Sequence, residues 1–255
     1  MSFISKETKE ARLPQPPRYI IFDMDGVIFD TPRICFEVHQ IMAKAINGCC
    51  FTIEDQRKLL LEKETSGRSS LEIFLQMIGE TTSNLTEKDF EELETYRFSL
   101  ASERIGSRDL LRPGVKELID WLIDQGRTVC LATKSRSDFV NFLFDNNRGL
   151  SLNQFHLVVT RSDLVSYKRT KTDINRLLLS KIGSLVNETV TGDQCLMFED
   201  SPHGVFAAKE AGIGTVIAIP DGISWDFEET RQVFDTADFV VPDLISVLSD
   251  WSKSN

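Results

Sequence analysis

The sequence is poor in the residues that build zinc sites and disulfide frameworks. It has three histidines in 255 residues, which argues against a histidine-based zinc cluster. Its five cysteines are odd in number and show no CxxC spacing, so a disulfide framework is not expected. Cys130 and Cys195 fall inside apolar runs that predict buried strands, which is typical of reduced core thiols. We therefore expect an intracellular, cytoplasmic protein.

Long apolar runs and excess positive charge are also lacking. No apolar stretch approaches the roughly 20 residues that a membrane-spanning helix needs. The net charge of -10 argues against a general nucleic-acid-binding surface. We therefore expect no membrane and no nucleic-acid partner. Residues 1–17 are polar, contain three prolines and lack a signal-type apolar core, so they predict a disordered leader.

One short segment carries most of the functional information. An apolar run, Ile20 to Phe22, is followed directly by Asp23-Met24-Asp25-Gly26. The apolar residues predict a buried strand, and the glycine permits a sharp turn after it. Side chains alternate along an extended segment, so Asp23 and Asp25 should point one way and Met24 the other. Both carboxylates would then lie at the carboxyl end of a strand, where open α/β sheets place their active sites.

The residues after this segment predict a helical insert. Threonine as an N-cap followed by proline predicts a helix start at Thr31-Pro32. Capping-box patterns predict further starts at Thr52-x-x-Asp55 and Thr86-x-x-Asp89. The segment around Leu71 has the period of an amphipathic helix, and no convincing strand occurs in residues 33–108.

From residue 109 onward, predicted helices alternate with predicted strands. A helix is expected from Val115 to Gln125, ending at Gly126. Such alternation indicates an α/β fold, with a parallel sheet covered by helices on both faces. We therefore predict a core of residues 18–32 and 109–255 that is interrupted by the insert. The predicted strands are 128–132, 155–159, 195–198, 215–219 and 239–241.

The Asp23-to-Gly26 segment resembles the first motif of the haloacid dehalogenase superfamily of aspartate-nucleophile phosphohydrolases. The continuation through Asp30-Thr31 is similar to the branch with a small helical cap after this motif, the phosphatase and phosphomutase-like subfamily I. The resemblance implies a Rossmann-like core with residues 33–108 as the cap. It also implies that Asp23 attacks phosphorus and that Asp25 is the general acid/base. Two adjacent acids with separated pKa values suit those roles.

Two later segments match the second and fourth motifs of that superfamily. Thr133 ends an apolar strand, where the resemblance implies a hydroxyl that donates to a phosphate oxygen. Ser135 follows it, and capping the next helix is at least as good an interpretation for that residue. Glu199-Asp200 ends another strand, and the resemblance implies a Mg²⁺ site made with Asp23 and the backbone carbonyl of Asp25. Magnesium prefers such oxygen ligands.

The remaining motif, a lysine that holds nucleophile and phosphate together, departs from the family pattern. The segment from Ser166 to Asp173 contains no proline. We favour Lys168 with a one-residue insertion and keep Lys171 as the alternative, while alignment on Asp173 would select Arg169. In the cap, Arg68 lies in a loop that resembles the substrate-facing loop of family caps. It could meet a substrate anion, and an ordinary helix-start loop is about as good an interpretation.

The function implied by the resemblance is hydrolysis of a small phosphorylated metabolite, such as a sugar phosphate or a phosphoglycolate-like phosphomonoester. A sugar phosphomutase is the runner-up. Relatives with that activity tend to carry a histidine where this chain has Cys35, and an arginine where it has Ser70. A dehalogenase would not need Asp25 or the Glu199-Asp200 pair. A catalytically silent binding module on the same fold is the alternative from another class.

Overall fold

The computed structural model describes residues 12–66, 68–106, 108–164, 170–223 and 231–253. At its centre is a six-stranded, all-parallel sheet with strand order β3-β2-β1-β4-β5-β6. The α/β parallel-sheet prediction is confirmed. The strands are β1 (Tyr19–Phe22), β2 (Thr128–Ala132), β3 (Leu157–Val159), β4 (Cys195–Glu199), β5 (Thr215–Ala218) and β6 (Phe239–Val240).

The central strands are buried on both faces, because helices cover both sides of a parallel sheet. In β1, Ile20 and Phe22 pack into one core, while Tyr19 and Ile21 pack into the other. The predicted burial of Cys130 and Cys195 is confirmed, and burial raises the pKa of each thiol to about 12. The strand predicted from residue 155 begins at Leu157, because a short 3₁₀ turn precedes it.

Within the described residues, five core helices cover the sheet. On the Ile20 face lie α5 (Val115–Asp124), α6 (Ser137–Asn146) and α9 (Leu244–Ser252). On the Tyr19 face lie α7 (Lys171–Val186) and α8 (Pro202–Glu210). The α5 prediction is correct to within one residue at its end.

The described residues between β1 and α5 form four α-helices: α1 (Thr31–Asn47), α2 (Ile53–Ser66), α3 (Ser70–Met77) and α4 (Glu87–Ile105). No strand occurs among the described residues of 33–108. The Asp55 carboxylate accepts from the Thr52 backbone N–H, and Asp89 does the same for Thr86, so both capping predictions are confirmed. Helix α1 packs on α4 and α2 on α3. The division into a core and a separate cap domain stays a prediction.

The prediction of a disordered leader over residues 1–17 is wrong for Leu13 and Pro14. The Leu13 backbone N–H donates to the carboxylate of Asp250, at 3.1 Å. The indole N–H of buried Trp251 donates to the Pro14 carbonyl, at 2.8 Å. The two segments are 237 residues apart in sequence, so no local pattern predicts this docking. Residues 1–11 lie outside the described part of the chain.

None of the helices in the described residues is both long enough and apolar enough to cross a membrane.

Candidate active site

The first part of the site is the loop that leaves β1. The Asp23 backbone N–H donates to the carbonyl of Phe198, at 3.0 Å, which extends the β1–β4 pairing past the end of β1. Met24 is fully buried. Gly26 has φ +78°, a left-handed conformation that glycine adopts without strain. This turn leaves Asp23 and Asp25 at the carboxyl edge of the sheet.

Three carboxylates converge at this edge. Asp23, Glu199 and Asp200 each contribute an oxygen atom, and these oxygens lie within 4.8 Å of one another. The convergence follows from the topology, because β1 and β4 are neighbours with Phe22 opposite Phe198. Acids 176 residues or more apart in the chain thus meet, as the sequence predicted.

Two glycines make room for these carboxylates. A methyl group at Gly26 would overlap the carboxylate of Asp200, and one at Gly204 would overlap the carboxylate of Glu199. Gly204 lies in the first turn of α8. Any other residue at either position would therefore displace an acid of the cluster.

Lys171 supplies the cation at the centre of the cluster. Its Nζ lies 2.6 Å from Oδ1 of Asp23 and 2.7 Å from Oε1 of Glu199. The preferred residue, Lys168, and Arg169 lie outside the described residues, so the structure gives no contact for either. Thr170 and Asp173 form a reciprocal capping box, which makes Lys171 the first residue of α7. That capping pattern is the sequence signal that would have favoured Lys171.

Burial dominates the electrostatics of the cluster. It raises the pKa of Asp23 to about 7, against the opposing effect of Lys171 and with Glu199 adding to the rise. Burial and the neighbouring carboxylates raise the pKa of Asp200 well above its ordinary value. Burial alone would lower the pKa of Lys171, but Asp23 and Glu199 outweigh it and raise that pKa. Three acids thus share one ammonium group, so a bound cation would favour their ionised forms.

The cluster fits a magnesium ion. All of its donors are carboxylate oxygens, the hard ligands that Mg²⁺ prefers, and neither sulfur nor imidazole belongs to the set. The absence of side chains at Gly26 and Gly204 leaves the space that the carboxylates of Asp200 and Glu199 occupy. The excess of negative charge over Lys171 is the environment that a divalent cation neutralises.

Asp25 lies beside the cluster and is held by two hydroxyl groups. The Thr31 hydroxyl donates to its Oδ1 at 2.7 Å, and the Ser135 hydroxyl donates to its Oδ2 at 2.6 Å. The prediction that Thr31 is an N-cap is wrong, because Asp30 occupies that position and makes no side-chain cap bond. The alternative interpretation of Ser135 is also wrong: Arg136 is the N-cap of α6.

Thr133 lies one strand away from Asp23, directly after β2. It is fully buried, and its Oγ1 accepts a hydrogen bond from the backbone N–H of Ser135 at 3.0 Å. Its own backbone N–H donates to the carbonyl of Val159, at 3.0 Å. The structure therefore brings Thr133 to the same edge as Asp23 and Asp25.

Arg68 is engaged within the helical insert. Its guanidinium lies 2.9 Å from a carboxylate oxygen of Glu62 and 3.2 Å from one of Glu72. These pairs join α2, the loop after it and α3. A contact between Arg68 and a substrate stays a prediction.

Comparison with known families identifies the family of the chain. The family described as haloacid dehalogenase-like hydrolase matches residues 17–212, a range that includes Asp23, Thr133, Lys171 and Asp200. The chain belongs to the haloacid dehalogenase-like hydrolase family. The resemblance inferred from the motifs is therefore confirmed, and the protein is an enzyme of this hydrolase family.

Individual members of the haloacid dehalogenase-like family show how far the similarity extends. The chain is 28% identical over 207 residues to a phosphorylated carbohydrates phosphatase of Thermotoga maritima, covering 80% of this chain and 87% of that protein. It is 30% identical over 207 residues to a probable pseudouridine-5'-phosphatase of Drosophila melanogaster, covering 80% and 81%. The crystal structure of CbbY from Rhodobacter sphaeroides in complex with phosphate shares the fold, with TM-score 0.69, 22% identity, and coverage of 92% and 99%.

Proposed function

We propose that this protein is a magnesium-dependent phosphatase. It hydrolyses a small phosphorylated metabolite, a sugar phosphate or phosphoglycolate-like phosphomonoester, through an aspartyl-phosphate on Asp23. The observation that carries the proposal is the environment of Asp23. Its carboxylate is buried at a strand end, within ion-pair distance of Lys171 and close to two further carboxylates. The phosphatase names of the relatives support the reaction class.

Asp23 is the nucleophile in this proposal. A carboxylate attacks phosphorus once positive charge offsets its repulsion from the phosphate dianion, and the covalent intermediate divides hydrolysis into two easier steps. The Lys171 ammonium group supplies one such charge and fixes the Asp23 oxygen that it contacts. Asp23, Glu199, Asp200 and the Asp25 carbonyl would hold Mg²⁺, which supplies a Lewis acid for the phosphate oxygens when bound.

Asp25 is the general acid/base. Its carboxylic acid gives a proton to the ester oxygen as the bond from that oxygen to phosphorus breaks. The resulting carboxylate then takes a proton from water as the water oxygen bonds to phosphorus and the bond to Asp23 breaks. The hydrogen bonds from Thr31 and Ser135 support this role, because each fixes one oxygen of the carboxyl group.

The phosphate is bound by Thr133 and by nearby cations. The Thr133 Oγ1 accepts a hydrogen bond from the Ser135 backbone N–H, and the hydroxyl hydrogen can in addition be donated to a phosphate oxygen. Lys134 comes next in the chain, and burial lowers its pKa, as do the charges of Lys63 and Lys171. An anionic substrate would relieve the mutual repulsion of these lysines. Arg68 is proposed to meet the rest of the substrate.

Residues 33–108 act as a cap that selects the substrate. Two contacts between the helical insert and the core support this arrangement. The Arg57 guanidinium on α2 donates to the Ile223 carbonyl at 3.4 Å, and Phe98 on α4 makes an edge contact with Phe139 on α6, with centroids 6.3 Å apart. A cap closed over the site would exclude water during phosphoryl transfer. The five free cysteines support the proposed cytoplasmic location.

The test is phosphate release from a panel of phosphorylated sugars, polyols and carboxylates, with Mg²⁺ present or chelated. We expect turnover only with Mg²⁺, and none for an Asp23→Asn variant that keeps the wild-type circular dichroism spectrum. An isomeric sugar phosphate as product would indicate the mutase alternative. The absence of turnover on the whole panel and on an activated aryl phosphate would favour the silent module.

A further inference from the structure

We propose that Ser135 is a positioning residue for Asp25. The inference rests on the proposed function, because it assigns a part to Ser135 in the proton transfer that Asp25 performs. Its basis is the 2.6 Å hydrogen bond from the Ser135 hydroxyl to Oδ2 of Asp25, across 110 residues of sequence. The motif analysis gave Ser135 no such part.

The loop that carries Ser135 is itself fixed. The Ser135 backbone N–H donates to Oγ1 of buried Thr133, at 3.0 Å, and its carbonyl accepts from the backbone N–H of Arg161, at 3.0 Å. The hydroxyl is not used to cap α6, because that helix begins two residues later. Ser135 is therefore a rigid donor directed at Asp25.

The two donors to Asp25 come from different parts of the molecule. Thr31 is the first residue of α1, where the chain leaves the core for the helical insert, and its hydroxyl donates to Oδ1 of Asp25. Ser135 belongs to the core and holds Oδ2. A carboxyl oxygen without the proton can accept from Ser135 whether Asp25 is ionised or protonated on the other oxygen. The Ser135 contact thus fits both halves of the reaction.

Without the Ser135 hydroxyl, the carboxyl group of Asp25 would lose one of the two hydrogen bonds that fix its orientation. Proton delivery to the leaving oxygen would then be misaligned, and this matters only when the leaving group needs a proton. An alkyl phosphate needs that proton, whereas a nitrophenyl phosphate does not. General folding damage would slow both esters alike.

The experiment compares these two esters in the first turnover, with enzyme in excess and Mg²⁺ present, so that hydrolysis of the intermediate does not contribute. Wild type, Ser135→Ala and Ser135→Thr are measured by rapid quench. The matched control is Ser137→Ala, since Ser137 lies two residues further on, at the start of α6, and its hydroxyl pairs with Ser162 at 3.2 Å. Asp25→Asn is the reference for complete loss of the acid.

We expect Ser135→Ala to release the alkyl alcohol about tenfold or more slowly and nitrophenolate at most about threefold more slowly. Ser135→Thr should show nearly the wild-type ratio of alcohol release to nitrophenolate release, because threonine keeps the hydroxyl. Ser137→Ala should show the wild-type ratio as well. Equal slowing of both esters by Ser135→Ala, or no rescue by threonine, would overturn the positioning role. If Asp25→Asn itself slows both esters equally, the proposed role of Asp25 fails as well, so the two failures are distinguishable.

Discussion

The Gly26→Ala variant would place a methyl group where the Asp200 carboxylate lies. Two separate penalties follow. Alanine at the φ of +78° costs about 1–2 kcal/mol relative to an unstrained conformation. Relieving the overlap requires Asp200 or the loop to move, and overpacking of this kind costs about 1–3 kcal/mol. The free energy of unfolding should therefore fall by about 2–5 kcal/mol in total.

The displacement of Asp200 should also be visible in metal binding. We expect the increase in melting temperature caused by Mg²⁺ to shrink, because the ion loses a ligand of its proposed site. Phosphatase activity should fall with it. Urea unfolding without Mg²⁺ and thermal melts across a Mg²⁺ titration measure the two effects separately.

Gly126→Ala is the matched control. Gly126 has φ +70°, and a methyl group there would meet nothing within 4 Å. Its replacement should therefore cost only the conformational penalty of about 1–2 kcal/mol and should leave the Mg²⁺ response unchanged. The reasoning about the Asp200 contact is refuted if the two variants lose equal stability and respond to Mg²⁺ alike.

Three further predictions concern charge. Asp200→Asn should lower Mg²⁺ affinity, measured by calorimetry, by about tenfold or more, and an unaltered affinity would count against it as a ligand. Lys171→Met leaves buried acids without their ammonium partner, so unfolding without Mg²⁺ should become easier by about 3 kcal/mol or more; unchanged urea denaturation would contradict the buried pair. Burial lowers the pKa of His39 to about 4. As pH falls, His39 is therefore protonated in the unfolded chain before it is protonated in the folded protein. The free energy of unfolding is therefore unaffected by this group above about pH 6.5, and it decreases as pH falls toward 4, by about 3 kcal/mol at most. His39→Gln should flatten the slope of stability between these pH values, and an identical slope would refute it.

The family resemblance implied the acidic cluster before the structure was known, and the sheet topology explains why its acids meet. Asp23 and Glu199-Asp200 each end an apolar run, and a parallel sheet collects the carboxyl ends of its strands at one edge. The local capping patterns at Thr52 and Thr86 were equally readable. Such features depend on a few neighbouring residues or on a rule that holds for every sheet of this kind.

Contacts between distant side chains could not be predicted in the same way. Nothing around Ser135 indicates a bond to Asp25, since the loop geometry exists only in the folded sheet. The Thr31 hydroxyl was expected to cap its own helix, but Asp25 offers it a charged acceptor. Lys171 is an intermediate case: the missing prolines obscured the motif, although the Thr170 capping box identifies where the helix begins.

The central claim is that Asp23 carries the phosphoryl group. Its most direct test is a crystal structure of the wild-type enzyme with Mg²⁺ and beryllium fluoride, which mimics a phosphoryl group on a carboxylate. We expect a beryllium fluoride adduct on the Asp23 carboxylate, with Lys171 close to it, and no adduct in Asp23→Asn. An adduct on Asp25, Glu199, Asp200 or any other residue would contradict it.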